Sequence, residues 1–532
     1  MKRIVKELLT KEFLTSEHQI KESRPMTDED DTDPSTDRHS AANMSADEFR
    51  AAGHRLIDTI AEFYESLPER PVTQAETPQE IRTLLGNGNL PDRGTAANEL
   101  LEETAQRLFD HSLHNGHPRF LGYITSSATP LGALADLLAA SVNNNLGKWD
   151  LSPLASEIEA QTVRWIAELI GYPADCGGLM SSGGNMANFL AFVAARKAGA
   201  DWPIRDQGLH DRNDKSRRLT VYGSRETHTW VEKAADVTGL GTDAIRWIET
   251  DAQQRMCADA LETRLDADIA DGCIPFIVIG TAGNVSTGAV DPLVALADIC
   301  ARRNIWFHVD GAYGAPAATQ PDASADLKAL TRADSVALDP HKWLFNPIEA
   351  GCTLVRNPKA LADAFSFEPP YYRLDASQAE PGLNYYAMGM QNTRGFRALK
   401  VWLNLRHIGR AGYVDMIGRN IALARHLYQL AEAHTELEAI ENHLSITNLR
   451  FVPHDLSDDK GAHTDYLNEL NTALLERLQK GGETFVSNAI IDSRYTLRAC
   501  VVNFRTTRTD IDALPEIITR VGRELDADLR QP

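Results

Sequence analysis

Apolar residues recur along this chain with two different periods, and the places where the period changes divide it. Up to about Ala42 there is no period. Thr27–Arg38 holds Asp28, Glu29, Asp30, Asp31, Asp33 and Asp37 with almost nothing apolar. So little apolar surface cannot offset the entropy of ordering, and residues 1–44 read as a disordered acidic leader. A helical period begins at Ser45. Glu48 three residues later completes a capping-box pattern. Phe49, Leu56, Ile57, Ile60 and Phe63 then follow at near-helical spacing until Pro68 and Pro71 stop it. A second helix is predicted over Ala97–Phe109, which makes residues 45–114 a helical segment.

Between residues 115 and 393 the pattern alternates. Short β-rich runs (Leu219–Tyr222, Pro275–Ile279, Ile305–Val309, Ser335–Leu338, Cys352–Val355) are separated by helical stretches such as Met186–Arg196, Ala258–Asp266 and Pro292–Arg303. This predicts an α/β fold whose mostly parallel sheet is covered on both faces. Residues 394–532 read as a long helix towards Ala433 and then a smaller α+β domain. Its predicted elements are strand Leu444–Val452, helix Asp465–Gln479, strands Thr484–Val486 and Tyr495–Phe504, and helix Asp512–Leu525.

Composition narrows the function. The 532 residues suffice for a large buried core. Lys and Arg total 54 against 75 Asp and Glu, a formal charge of −21 whose field repels nucleic-acid backbones. No apolar run approaches the roughly 20 residues that span a bilayer. The six cysteines are scattered without a C-x-x-C pair, which suits a reducing, cytoplasmic setting.

The common nucleotide, nucleophile-elbow and metalloprotease motifs are absent. His111, His114 and His117 form an H-x-x-H-x-x-H run, but Gly116 and Pro118 break any helix there, and it reads as ordinary loop histidines rather than a metal site. Asp339-Pro-His-Lys342-Trp343 is more telling, because it directly follows a predicted strand. A lysine at the mouth of a parallel sheet is partly desolvated and suited to Schiff-base formation, although a snorkelling surface lysine gives the same pattern. His308-Val-Asp310 sets a carboxylate at the end of the preceding strand, where open α/β sheets bind ligands. Ser181–Asn185 opens a helix with small residues, as a phosphate site does. His228, after strand Leu219–Tyr222, could stack on a planar ring. One cofactor, pyridoxal 5′-phosphate, accounts for all four. The competing reading is a non-catalytic α/β protein with His308 and Asp310 as metal ligands.

Carried by Asp339–Trp343 and His308–Tyr313, the chain resembles the group II pyridoxal-phosphate-dependent amino-acid decarboxylases from about Ser45 to its end. The resemblance implies fold type I, like aspartate aminotransferase, and a homodimer whose partner is wrapped by residues 45–114. It implies Lys342 as the cofactor lysine, Asp310 at the ring nitrogen and His228 on the ring face. Gly184, Asn185, Ser126, Thr281 and His341 become further cofactor contacts. Phe365–Gln391 becomes a mobile loop carrying a proton-donating tyrosine, Tyr385 or its neighbour Tyr386. The expected reaction turns an L-amino acid into a primary amine and carbon dioxide. Aromatic substrates are favoured because Asp47–Glu65 is most similar to the aromatic-amino-acid enzymes. Glutamate, 2,4-diaminobutyrate and an aldehyde-forming variant are the alternatives, with Tyr385 weighing against the last. Asp339 stands where many relatives have Asn, and Leu146–Asp150 carries charge where aromatic enzymes are apolar; both departures bear on the substrate.

Overall fold

Six strands running one way and one running against them form the central sheet of the computed structural model, which describes residues 42–209, 218–367, 382–456 and 461–530. The chain falls into two units, 1–58 and 59–532. In the first, the described residues open the helix Ala46–Ser66. Its capping box is formed: the Ser45 N–H donates to Glu48 Oε2 (2.9 Å) and the Glu48 N–H to Ser45 Oγ (3.2 Å).

In the second unit the strands are β1 (Gly177–Ser181), β2 (Arg218–Ser224), β3 (Ile245–Ile248), β4 (Cys273–Thr281), β5 (Trp306–Asp310), β6 (Ser335–Leu338) and β7 (Gly351–Val355), in the order β1-β7-β6-β5-β4-β2-β3. Only β7 is reversed; it pairs antiparallel with both β1 and β6. β4 is apolar almost throughout because both of its faces are covered, as a parallel strand between helical layers requires. The helix Gly184–Gly199 lies across β4 to β7 and buries Ala187, Leu190, Ala191 and Ala194.

A second sheet, all antiparallel, is built from β8 (Leu437–His443), β9 (Ile446–Phe451), β10 (Ser487–Ile491) and β11 (Arg494–Cys500). Helices Thr464–Gly481 and Leu514–Leu529 pack with it around Leu449, Leu470, Leu474, Leu497 and Ile518. The 36-residue helix Ala398–Ala433 joins the two cores. Val401, Tyr413 and Ile417 belong to the first, while Ala424, Leu427 and Ala431 belong to the second. It breaks at Gly409, whose φ of 67° lies outside helical values.

The α/β reading with a mostly parallel sheet and a smaller α+β part holds. One element differs. Thr484–Val486 is no strand of the second sheet; that strand starts at Ser487. Phe485 is held instead by residues 119–121, donating to the Arg119 carbonyl (3.1 Å) and accepting from the Leu121 N–H (2.8 Å). β1, β3, β8 and the helices Pro130–Val142 and Pro153–Ile170 add to the expected set. A buried ion pair locks this region: Arg394 reaches Glu159 Oε1 (2.5 Å) and the Met180 carbonyl (2.7 Å), and Glu159 Oε1 also accepts the Met180 N–H (2.9 Å).

Candidate active site

Parallel strands point their carboxyl ends the same way, so the residues that follow them converge on one edge of the sheet. β1 leads to Ser182–Asn185, β2 to Glu226 and His228, β4 to Thr281–Val285, β5 to Asp310–Tyr313, and β6 to Asp339–Lys342. Each of these segments contributes to the lining of one cavity of about 330 Å³. The loop after β1 can take its shape because Gly183 has φ 151° and ψ −179°, a conformation left to glycine. β7 presses on it from the far side: a Cβ at Gly351 would come within 2.6 Å of the Gly183 Cα. The helix Gly184–Gly199 therefore starts at the cavity wall with no acidic residue in its first turn, which leaves N–H groups to receive an anion.

Lys342 Nζ lies 3.1 Å from Asp339 Oδ2, and His341 Nε2 lies 3.8 Å from the same oxygen. His341 is fixed by the Ala350 N–H, which donates to its Nδ1 (3.1 Å); burial lowers its pKa, against the pull of Asp339. Asp310 is buried at the end of β5. Its Oδ1 accepts the Ala312 N–H (3.1 Å) and its Oδ2 the Trp230 indole N–H (2.7 Å). The His228 ring opens to the cavity and accepts the Trp230 backbone N–H at Nδ1 (3.3 Å). Desolvation by the surrounding protein lowers its pKa, with Asp310 opposing.

Two polar atoms of the cavity residues, Thr281 Oγ1 and Asp339 Oδ1, are buried without a hydrogen-bond partner among the described residues. Unpaired buried groups of this kind suit a polar ligand. An amine, a buried carboxylate, an open imidazole and a glycine-shaped helix start around one cavity match the demands of a phosphorylated pyridine aldehyde.

Of the expected site residues, Lys342, Asp310, His228, Gly184, Asn185, Thr281 and His341 line the cavity. Ser126 does not; its hydroxyl donates to the His341 carbonyl (2.9 Å) and braces the lysine turn from behind. Tyr385 is displaced further. It is fully buried, its hydroxyl donates to the Ser156 carbonyl (3.3 Å), and the Arg394 guanidinium sits 4.6 Å from its ring centre. Its phenol is thus a core group outside the cavity, unsuited to delivering a proton there. Residues 368–381 of the expected mobile loop, with Tyr371 and Tyr372, lie outside the described residues. His308 is no metal ligand either: Ser335 Oγ (2.8 Å) and Asn188 Oδ1 (2.7 Å) occupy its two ring nitrogens. His111 contacts Glu76 instead of a metal-like cluster. The spacing-based reading passed over Glu226, Asn188 and Trp230, whose roles depend on contacts distant in sequence.

Two outcomes are expected. A Tyr385→Phe protein keeps its turnover within about threefold and loses about 1 kcal/mol of stability in urea unfolding, the worth of one neutral hydrogen bond. A hundredfold fall in turnover would restore a catalytic role. Complete burial pushes His308 down to about 4 from 6.5. Its neutral form therefore stabilises the fold fully above pH 6.5, and that contribution is lost as pH falls towards 4, about 3 kcal/mol in all. Asp291, fully buried and pushed up to about 6, works in the opposite direction. The readout is accordingly a difference: between pH 7 and 4.5, His308→Gln should lose about 2 kcal/mol less than the parent protein.

Residues 78–452 match the model of the pyridoxal-dependent decarboxylase conserved domain. An aromatic-L-amino-acid decarboxylase of Bacillus atrophaeus is 34% identical over 88% of this chain and 94% of its own. A phenylacetaldehyde synthase of a Rosa hybrid cultivar is 28% identical over 86% of this chain and 90% of its own. The crystal structure of Oryza sativa TDC with PLP and tryptamine superposes with a TM-score of 0.84 at 27% identity, covering 91% of this chain and 100% of that one. The fold is thus the type I fold of pyridoxal-phosphate enzymes, and the chain belongs to the pyridoxal-dependent decarboxylase family.

Proposed function

We propose that this decarboxylase acts on aromatic L-amino acids (tryptophan, tyrosine, phenylalanine or dopa) and releases the primary amine and carbon dioxide. The observation that carries the reading is the lining of the cavity. Ile124, Met186, Val285 and Tyr313 offer apolar surface beside Lys342, and among the described residues no other lysine or arginine lines it. A glutamate-like substrate carries a second carboxylate that calls for a cation. A 2,4-diaminobutyrate reading keeps one supporting feature, the Glu226 carboxylate in the wall.

In this reading Lys342 holds the cofactor covalently through its amine. The N–H groups of the Gly184–Asn185 turn would hold its phosphate, His228 would lie against the ring, and Asp310 would accept from the ring nitrogen. Thr281 and Asp339 supply hydrogen-bonding atoms for the remaining polar groups. When bound, pyridoxal phosphate supplies an electron-withdrawing ring that takes up the charge left by the departing carboxylate. Desolvation lowers the pKa of His228, and with Nδ1 accepting the Trp230 N–H the ring's other nitrogen, Nε2, carries its proton. Asp339 pairs with the Lys342 ammonium whenever that amine is free.

A homodimer fits the exposed apolar face of the helix Pro130–Val142, where Leu134, Leu137, Leu138 and Val142 meet solvent in the single chain. The helices of residues 45–114 would complete the interface, and residues 115–393 and 394–532 would form the cofactor-binding and smaller domains. No described helix is long and apolar enough to cross a membrane. The six free cysteines support a cytoplasmic location.

The purified protein should develop a visible absorbance band with pyridoxal phosphate, and borohydride should fix the cofactor to the chain. Lys342→Ala should abolish that fixation; an adduct still trapped on the chain would overturn the assignment of the lysine. Incubation with each common amino acid should yield an amine from an aromatic one. Aldehyde with ammonia and peroxide would point to the aldehyde-forming reading, and an amine only from diaminobutyrate would move the substrate. Leu137→Glu with Leu138→Glu should sediment as monomer and lose activity; an active monomer would refute the dimer.

A further inference from the structure

Trp230 is the only described residue that touches both His228 and Asp310 through hydrogen bonds. Its backbone N–H donates to His228 Nδ1 (3.3 Å) and its indole N–H to Asp310 Oδ2 (2.7 Å). The residue begins the helix Trp230–Val237 and is 2% exposed. Its ring is wedged edge-on between Phe192 (centroids 6.1 Å, planes 84° apart) and His308 (5.7 Å, 84°). His308 is itself immobilised by Asn188 and by Ser335, whose hydroxyl also receives the Trp306 indole N–H (2.8 Å). The indole therefore has one available position, and that position fixes one oxygen of Asp310.

The chemistry of the donor matters as much as its place. A hydroxyl or an imidazole facing a carboxylate can turn round and accept; an indole N–H can only donate. With the Ala312 N–H on the other oxygen, Asp310 is met from the protein side by donors alone and presents itself to the cavity as an acceptor. We propose that Trp230 is a positioning residue: it holds the Asp310 carboxylate in the orientation and acceptor state that keep the cofactor's ring nitrogen protonated. This rests on the reading of Asp310 as the partner of that nitrogen. Removing the indole N–H frees the carboxylate to turn and to draw the proton towards itself, which weakens the ring as an electron sink.

Replacing Trp230 by benzothienylalanine tests this, because sulfur takes the place of the N–H while the shape of the ring is kept. The holoenzyme is reconstituted with pyridoxal phosphate labelled with nitrogen-15 in the ring, and the nitrogen chemical shift is read in the resting protein. In the parent the shift should be that of a protonated pyridine; in the variant it should move towards the unprotonated value. The kcat should fall at least tenfold with KM within threefold, and in an Asp310→Asn background the replacement should change kcat by less than twofold. An unchanged nitrogen shift, or an equal loss of kcat in the Asp310→Asn background, would reduce Trp230 to a packing residue. Parent protein that takes up no pyridoxal phosphate would sink the reading of the site itself, an outcome distinct from a variant that binds the cofactor and shows no change.

Discussion

The direction of the strands is the constraint on which the site depends. Six parallel strands deliver their carboxyl ends to one edge, and five of those ends supply the amine, the carboxylates, the imidazole and the glycine-bearing helix start. No single strand end carries enough chemistry, and a reversal of β5 or β6 would send Asp310 or Lys342 to the opposite edge. The one reversed strand is placed where reversal helps. β7 brings its amino end beside the loop after β1, so Gly351 backs Gly183 and Ala350 fixes His341.

Behind that edge the polar groups are anchored in depth. Half-buried Trp306 and the buried Ser335, His308 and Asn188 form a hydrogen-bonded chain, and Trp230 rests on it. Such networks are stable only when complete, since a single orphaned member costs the desolvation of its partner. On the other side of the cavity, Ser126 supports the turn of Lys342 through the His341 carbonyl. Trp230 and Ser126, which do not line the cavity, thus support Asp310 and the turn of Lys342 from outside it.

This division explains what could be read from the chain before its structure. Lys342, Asp310, His228 and the Gly184–Asn185 turn each lie at the carboxyl end of a strand or within a few residues of it, so in the sequence local pattern and strand polarity place them together. The resemblance puts the loop tyrosine at Tyr385 or Tyr386, but a loop has no period to say which way a side chain points; burial beneath Arg394 sets the place of Tyr385. Trp230 is two residues from His228 in the sequence, yet its meaning lies in a bond to a residue 80 positions away. β1 was missed because its Gly177-Gly178 start has poor strand propensity. The glycines are there for space: a Cβ on Gly178 would lie 2.3 Å from the Thr353 carbonyl oxygen of the paired strand. The second-sheet strand was shifted because Phe485 is apolar for a reason outside that sheet, its stacking on Phe120 (5.4 Å).

That last contact has a mechanical meaning. Residues 119–121 bond backbone to backbone with Phe485 on one side, and Leu121 also accepts the Cys500 N–H (2.9 Å). Residues 119–121 are thereby tied to the smaller sheet at Cys500 and to the segment just before its strand β10 at Phe485, while the long helix Ala398–Ala433 runs through both cores. A hinge needs a narrow waist, and here the waist is cross-laced. Rotation of the smaller sheet as a rigid flap would have to break these bonds together, so their joint cost opposes it.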